Sequence, residues 1–375
     1  LKSYAVWRLF CSAPPRPSRL NWAIARNFMS QAVHLIQLAG SDQSFPCADN
    51  DTLLRAALRS GIAFPYECNV GSCGNCKFEL LEGVMSSCWP EAPGLSDKDR
   101  AKNRGLGCQS RPSGPLQIKL RTSDKYAPQH RPVRTTATFV SSHAITHDLS
   151  EFKFETATPV AFLSGQYALV QMPGIAGPRA YSMSNVGLIN GNSQTSQVME
   201  FQVRRVPGGH GSAHLFDQLA PGAQVEIDGP YGMAYLREDV ERDILCVAGG
   251  SGLAPMVSIA RGAFSSPKMR DRKLHFYYGA RSLQDVCGLD MLQALSDWDA
   301  RGHYQAIISG EPDTANLPEP YLRGFAHDAV AQSFGERLQQ MEIYFAGPAL
   351  MGQSLLKTLI DLKVPMDQVH FDQFY

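Results

Sequence analysis

The chain has 375 residues, 44% of them hydrophobic, enough to bury a large core and to divide into two or three domains. Lys and Arg total 35, as do Asp and Glu, so the formal net charge is zero, which excludes the broad basic surface of a nucleic-acid or anionic-membrane binder. No apolar run reaches the roughly 18 residues of a membrane span, and nine cysteines without an evident signal peptide argue against a disulfide scaffold and for a reducing cytoplasm.

In chain order, residues 1–28 carry Lys2, Arg8, Arg16, Arg19 and Arg26 but no acid, and Pro14, Pro15 and Pro17 would interrupt any helix. They read as an unstructured or artefactual extension, Met29 opening the folded chain; a basic, acid-free targeting peptide is the alternative. Val33–Leu38 reads as a strand. The run from Asp49 to Gly61 then predicts an amphipathic helix capped by Asp or Asn and closed by the glycine.

The segment from Phe64 to Cys76 places Cys68, Cys73 and Cys76 at C-x4-C-x2-C spacing, and Cys108 follows in L-G-C-Q. This is the spacing of a plant-type 2Fe-2S centre, which needs several thiolates from one tight loop, with Gly71 and Gly74 letting the backbone fold around it. A structural zinc site would use C-x2-C pairs at both ends, and the lone Cys108 does not supply the second. Cys11, Cys47, Cys88, Cys246 and Cys287 lack ligand spacing and read as buried small hydrophobes. Strand-like segments at 77–83 and 116–121 complete a module over residues 31–122.

A polar stretch with Pro128 and Pro132 reads as a linker. Over 132–237, short alternating segments at 135–140, 150–155, 166–172 and 198–203 between Gly, Pro and Asn turns predict an antiparallel barrel. The motifs G-Q-Y (Gly165 to Tyr167), R-A-Y-S (Arg179 to Ser182), G-H-G-S (Gly209 to Ser212) and D-G-P-Y-G (from Asp228) follow one another. R-x-Y-S alone is short enough to be an ordinary barrel strand, but this ordered series resembles the ferredoxin-NADP reductase superfamily. The resemblance implies FAD, with Arg179 on its pyrophosphate, Tyr181 packed on the flavin or ribityl, the Ser182 hydroxyl near the reactive ring nitrogen, and Gly209 and Ser212 at phosphate. Ser182 and Tyr181 are thereby the candidate catalytic residues. Arg204 and Arg205 could reach phosphate, yet a solvated strand end explains them equally well, and they are left out of the site.

Residues 240–375 alternate strand and helix patterns, predicting a doubly wound parallel sheet. I-L-C-V-A leads into G-G-S-G-L-A-P and then a helix, so Gly249, Gly250, Gly252 and Pro255 are candidates at a dinucleotide pyrophosphate; a glycine turn for packing alone is the alternative. The resemblance adds Arg281 and Asp285 near the adenosine ribose, where an acid favours NADH and an arginine would hold the 2'-phosphate of NADPH. It also adds Gly347 and Pro348 beside nicotinamide, where relatives carry Cys-Gly-Pro and this chain has Ala346, and Phe374 and Tyr375 as an aromatic cover for the flavin. Core packing of Phe371 and Phe374 is an equally good reading for those two.

The whole pattern is thus a β-grasp ferredoxin domain, an antiparallel FAD barrel and a doubly wound NAD domain, in the order found in reductase components of bacterial aromatic-ring oxygenases, such as toluene monooxygenase and carbazole dioxygenase systems. It implies an NADH-dependent oxidoreductase that splits a hydride's two electrons and passes them singly to a Rieske ferredoxin or an oxygenase component, as a monomer. Two other readings stand beside it, a free-standing NADH:acceptor reductase and a non-enzymatic electron carrier.

Overall fold

The computed structural model describes residues 32–187, 196–310 and 317–374; of Gln373 and Phe374 only the backbone is described, and the expected extension over 1–28 and Tyr375 lie outside the described residues. The first module contains β1 (Val33–Leu38), β2 (Ser44–Ala48), β3 (Lys77–Glu82), β4 (Met85–Ser87), β5 (Arg104–Leu106), β6 (Ser110–Pro112) and β7 (Leu116–Lys119). Five of these form one sheet in the order β2-β1-β7-β3-β5, with β4 and β6 as a two-stranded ladder. The β1–β7 pairing is parallel and the β1–β2 pairing antiparallel, giving the mixed sheet of a β-grasp. Helix α1 (Leu53–Arg59) lays Leu53, Leu54, Ala57 and Leu58 into a core shared with Ile36, Leu38, Phe78 and Ile118.

The cap of α1 differs from expectation. Thr52 occupies the N-cap without a side-chain cap bond. Asp51, one residue earlier, accepts the Thr52 N–H at 2.8 Å and otherwise faces two guanidiniums, Arg59 at 3.3 Å and Arg134 at 3.2 Å. Those two cations draw the carboxylate away from the helix end. Gly61 closes the helix with φ +82°, as its position predicts. A second short helix, α2 (Asp97–Arg100), is fixed by a reciprocal cap between Ser96 and Asp99.

The second sheet is antiparallel and built from β8 (Val133–Ala144), β9 (Leu149–Val160), β10 (Tyr167–Gln171), β11 (Arg179–Ser182), β12 (Ser196–Arg204) and β13 (Gln224–Tyr231). Its order is β11-β10-β13-β8-β9-β12. A bridge between Met183 and Phe201 joins the two edges, so the sheet closes into the expected barrel. Phe139, Phe152, Phe154, Met199 and Phe201 fill it. A short helix, α3 (His210–Ala213), follows β12.

The third sheet is parallel throughout, in the order β17-β16-β15-β14-β18-β19, from β14 (Asp243–Gly249), β15 (Leu274–Ala280), β16 (Gly302–Ile308), β17 (Leu322–Arg323), β18 (Met341–Pro348) and β19 (Val369–Phe374). Its helices are α4 (Leu253–Ser265), α5 (Leu289–Gln293), α6 (Trp298–Arg301), α7 (Ala326–Phe334) and α8 (Ala349–Asp361). Along β14, Ile244, Cys246 and Ala248 enter one core with α4 while Leu245 and Val247 enter another with α7 and α8. A strand covered on both faces explains the unbroken apolar run I-L-C-V-A.

One core crosses a module boundary. Along β10, Ala168 and Val170 face the barrel interior, whereas Tyr167 and Leu169 face outward and join the core of the first module, together with Tyr231 of β13. The period of two along this strand therefore serves two cores.

Candidate functional site

The four spaced cysteines converge on one loop. Cys76 and Cys108 are buried with their sulfurs 3.3 Å apart, while Cys68 and Cys73 are half-buried. The Cys73 amide points at the Cys68 sulfur (3.3 Å) and the Asn75 amide at the Cys73 sulfur (3.5 Å). The Cys73 thiol and the amides of Val70, Cys73 and Ser72 hold Cys68 down to about 5, against its burial. Likewise the Cys76 thiol lowers Cys108, and Cys73 and Cys76 are raised as the donors of those contacts. Four sulfurs brought to one loop, two of them in contact and two met by backbone amides, are a donor set that would hold iron as thiolates.

The cradle around these sulfurs has no room for side chains. Gly71 and Gly74 have φ of +95° and +77°, and a methyl on Gly74 would stand 2.7 Å from the Gly94 carbonyl oxygen. Arg55 of α1, itself buried, reaches the loop from behind and donates to Asn69 (Nε to Oδ1, 3.3 Å), which sits at φ +54°. These features fit a small inorganic cluster wrapped in backbone. Among the other cysteines, Cys47 and Cys246 are buried as expected and burial pushes Cys47 up to about 12. Cys88 is exposed and Cys287 only partly buried, so that expectation fails for both; Cys88 follows the rim ladder β4, and Cys287 lies in the loop before α5. Cys11 lies outside the described residues.

On the barrel, β11 carries R-A-Y-S. Arg179 and Tyr181 share one face of the strand and Ser182 is buried on the other. Burial pushes the Tyr181 phenol up to about 12. The Arg179 stem passes close to Gly211, where a methyl would meet its Cγ at 3.1 Å, so the R-x-Y-S strand and the G-H-G-S loop pack tightly at that glycine. Arg179 Nη1 is anchored by the carbonyls of Ala176 and Gly177, each at 3.0 Å. The Ser212 hydroxyl accepts from the Val206 N–H (3.1 Å) and donates to the Gly209 carbonyl (3.1 Å), which spends it on the shape of the loop. The R-x-Y-S strand, glycine contact and phosphate-sized loop fit an extended flavin nucleotide.

The glycine turn after β14 divides its labour in a way the spacing does not reveal. A methyl on Gly252 would lie 2.0 Å from the Ala346 carbonyl oxygen, and one on Gly249 2.7 Å from the Met351 sulfur. Gly347, at φ +150°, lies equally close to Gly249. These three serve close packing between the turn and the end of β18. Gly250, at φ +56°, faces outward, and its nearest neighbour is Arg204 Nη1 at 3.6 Å. Arg204 is held there by Asp148 (2.6 Å). Sequence reasoning left Arg204 out of the site; its place beside the turn depends on β12 ending there, a barrel-to-sheet contact without a sequence signal. Arg205 instead pairs with Asp217 across the Phe216 ring.

The remaining nucleotide candidates separate. Pro255 is buried in the first turn of α4, and Pro348 ends β18. Arg281 is exposed at the end of β15, while Asp285 turns one oxygen back to Ser282 (2.8 Å from its hydroxyl) and the other toward His147 (3.9 Å). The backbone of Phe374 pairs with Pro348.

Three of these regions meet. Tyr167 is the cross-strand partner of Ser182, and its hydroxyl donates to the carbonyl of Glu67, beside Cys68, at 2.7 Å. Asp372, across β18–β19 from Ala346, is buried and carries an oxygen without a hydrogen-bond partner. Burial pushes it up to about 7, with Glu67 adding to the effect; Tyr167 and Tyr66 are raised by their own burial first, to which Asp372 adds. The cysteine loop, the R-x-Y-S strand and the end of the nucleotide sheet therefore share one junction.

Residues 36–113 match a model for a 2Fe-2S iron-sulfur cluster binding domain, residues 136–235 one for an oxidoreductase FAD-binding domain, and residues 246–357 one for an oxidoreductase NAD-binding domain. A ferredoxin–NAD(P)+ reductase of Metapseudomonas resinovorans is 40% identical over 88% of this chain and 96% of its own length. The ferredoxin–NAD+ reductase component of an alkene monooxygenase system from Xanthobacter autotrophicus is 40% identical over 88% of this chain and 98% of its own. A solved ferredoxin reductase in carbazole 1,9a-dioxygenase superposes with a TM-score of 0.82 at 34% identity, over 92% of this chain and all of that one.

Proposed function

The chain belongs to the family of ferredoxin–NAD(P)+ reductase components of oxygenase systems, and on that premise we propose that it draws on NADH, rather than NADPH, and serves a Rieske ferredoxin or an oxygenase of an aromatic-hydroxylating system. It is an oxidoreductase whose three modules carry electrons from a nicotinamide nucleotide through FAD and a 2Fe-2S centre to a protein partner. Module limits of 31–122, 132–237 and 240–375 are part of this reading, as are a monomeric state and a cytoplasmic location. No helix among the described residues is long and apolar enough to cross a membrane.

In this reading Cys68, Cys73, Cys76 and Cys108 hold the cluster. Arg179 holds a diphosphate, Tyr181 covers the flavin edge, Ser182 offers its hydroxyl to the reactive nitrogen, and Gly209 and Ser212 shape the phosphate loop. Gly250, Pro255 and Pro348 line the nicotinamide nucleotide site, whose turn Gly249, Gly252 and Gly347 shape by close packing, extended by Arg204 at pyrophosphate and by Arg281 and Asp285 toward the ribose. Phe374 and Tyr375 cover the flavin. When bound, the flavin accepts hydride as an electron pair and releases electrons singly, which a one-electron iron-sulfur centre requires. The protein's own contribution is to orient, to exclude water and to set potentials.

The observation that carries this reading is the shared junction of Cys68, Ser182 and Ala346, because electron transfer needs all three groups close together. Anaerobic titration of reconstituted protein with NADH and, separately, NADPH tests it. NADH should bleach the flavin absorbance and then produce the rhombic EPR signal of a reduced cluster. Bound flavin that neither nucleotide reduces would overturn it in favour of an electron carrier.

A further inference from the structure

The ferredoxin module is fastened to the barrel at the cysteine loop itself. Tyr66 and Glu67 immediately precede Cys68, and each is held from the barrel side: the Gly232 N–H donates to the Tyr66 oxygen at 3.0 Å, and the Tyr167 hydroxyl donates to the Glu67 carbonyl at 2.7 Å. Tyr231 packs between them, its ring 6.3 Å from Tyr66 and 6.0 Å from Tyr167. Each of these three rings is at most 5% exposed. An ion-pair cluster fixes the neighbouring helix, with Arg59 of α1 on Asp228 of β13 at 2.8 Å.

Tyr167 has one further property. It pairs across β10–β11 with Ser182, so a single residue touches both the strand assigned to the flavin and the peptide that leads into the first cluster ligand.

We infer that Tyr167 is a positioning residue for internal electron transfer: its hydroxyl holds the Glu67–Cys68 peptide against the flavin-binding strand, so that the module works docked rather than by swinging. The inference rests on the FAD and cluster assignments above. The step it governs passes one electron from reduced flavin to oxidised cluster; the flavin loses one electron, one ferric ion becomes ferrous, and no bond between heavy atoms forms or breaks. Its rate depends on distance and on the rigidity of the intervening contacts. Removing the hydroxyl frees the peptide on this side without touching the cysteines or the R-A-Y-S strand.

The experiment is rapid mixing of holoprotein with NADH, following flavin bleaching by absorbance and cluster reduction by freeze-quench EPR, in wild type and Tyr167→Phe. Flavin bleaching should keep its rate, both midpoint potentials should stay in place, and cluster reduction should slow about tenfold or more. The slowed step should also become sensitive to solvent viscosity, because docking then precedes transfer. Cluster reduction at the wild-type rate, or equal slowing of both phases, overturns the inference. Absence of flavin bleaching in wild type sinks the assignment beneath it instead. Should Tyr167→Phe fail to load both groups, the same comparison is made on Tyr66→Phe, which loosens the loop from the other side. Slowed cluster reduction there supports the lock, and an unchanged rate overturns it.

Discussion

Ala346 on β18 stands directly across from Asp372 on β19, so the position where related sequences place a cysteine is flanked by a buried carboxyl. One Asp372 oxygen has no hydrogen-bond partner, and burial first, then Glu67, pushes the group from 3.8 up to about 7. The folded chain therefore holds this proton more tightly than the unfolded chain does. The favourable contribution is complete below about pH 4, is lost as pH rises toward about 7, and stays lost above it, a swing on the order of 4 kcal/mol at most. Asp372→Asn should remove that slope. Thermal unfolding of both proteins between about pH 5 and about pH 8 should show the variant gaining on wild type as pH rises; parallel curves would show that Asp372 titrates normally.

Cys76→Ala should separate the two redox centres. Cys76 lies 3.3 Å from Cys108 and is buried in the core of the first module, so its loss removes a proposed cluster ligand and opens space at the loop's base. The rhombic EPR signal should vanish, and stability should fall by about 2 kcal/mol from the cavity and the missing metal cross-link. NADH should still bleach the flavin. Loss of both signals together would mean that the ferredoxin core and the barrel fold as one unit, through Tyr167 and Leu169.

The glycine turn gives two contrasting substitutions. Gly252→Ala places a methyl 2.0 Å from a backbone oxygen that cannot rotate away, and should cost about 3 kcal/mol through overpacking. Gly250→Ala makes only an ordinary contact with Arg204 Nη1 at 3.6 Å and should cost only about 1 kcal/mol of backbone strain at φ +56°, while raising KM for the nucleotide. Melting temperature and steady-state kinetics on both variants decide the matter. A KM effect confined to Gly252 would reverse the division of labour between the two glycines.

What could be read from the chain followed from how local each signal was. The C-x4-C-x2-C loop, the alternating barrel strands and the buried run Ile244–Ala248 are set by neighbours within a few residues, and the structure has them in place. The α1 cap was misread because Asp51 answers to Arg134, 83 positions away. The outward face of β10 was equally hidden, since the alternation of Tyr167 to Val170 says that two environments exist but not that the second is another module's core. Arg204 belongs to the same class: R-R at a strand end is ambiguous until the strand is seen to finish over Gly250.

That placement makes Arg204→Gln a test of the nucleotide site. The side chain is fixed by Asp148 and stands beside the outward glycine, so the substitution removes the proposed charge-assisted contact to pyrophosphate without altering the turn. KM for NADH should rise about tenfold, equivalent to about 1.4 kcal/mol, with kcat changed less than twofold. Equal loss in kcat and kcat/KM would instead assign Arg204 to the hydride step.

The ion-pair cluster between modules makes a last, quantitative prediction. Asp228 is 7% exposed, accepts from Arg59 at 2.8 Å and from the Tyr231 hydroxyl at 2.8 Å, and Arg59 already has one nitrogen without a partner. Removing the carboxylate alone leaves the buried Tyr231 hydroxyl without its acceptor and the partly buried Arg59 to Asp51, which already pairs with Arg134. Asp228→Leu should therefore destabilise the fold by about 3 kcal/mol. Arg59→Leu with Asp228→Leu removes both charges and supplies apolar surface next to Tyr231, so the double variant should be more stable than the sum of the single losses, by about 1–3 kcal/mol. Denaturant unfolding of the four proteins gives the coupling directly. Simple additivity would mean that Asp51 and water, and not Asp228, neutralise Arg59, and the docking of the two modules would then rest on the tyrosine and Leu169 contacts and the Asp51–Arg134 pair.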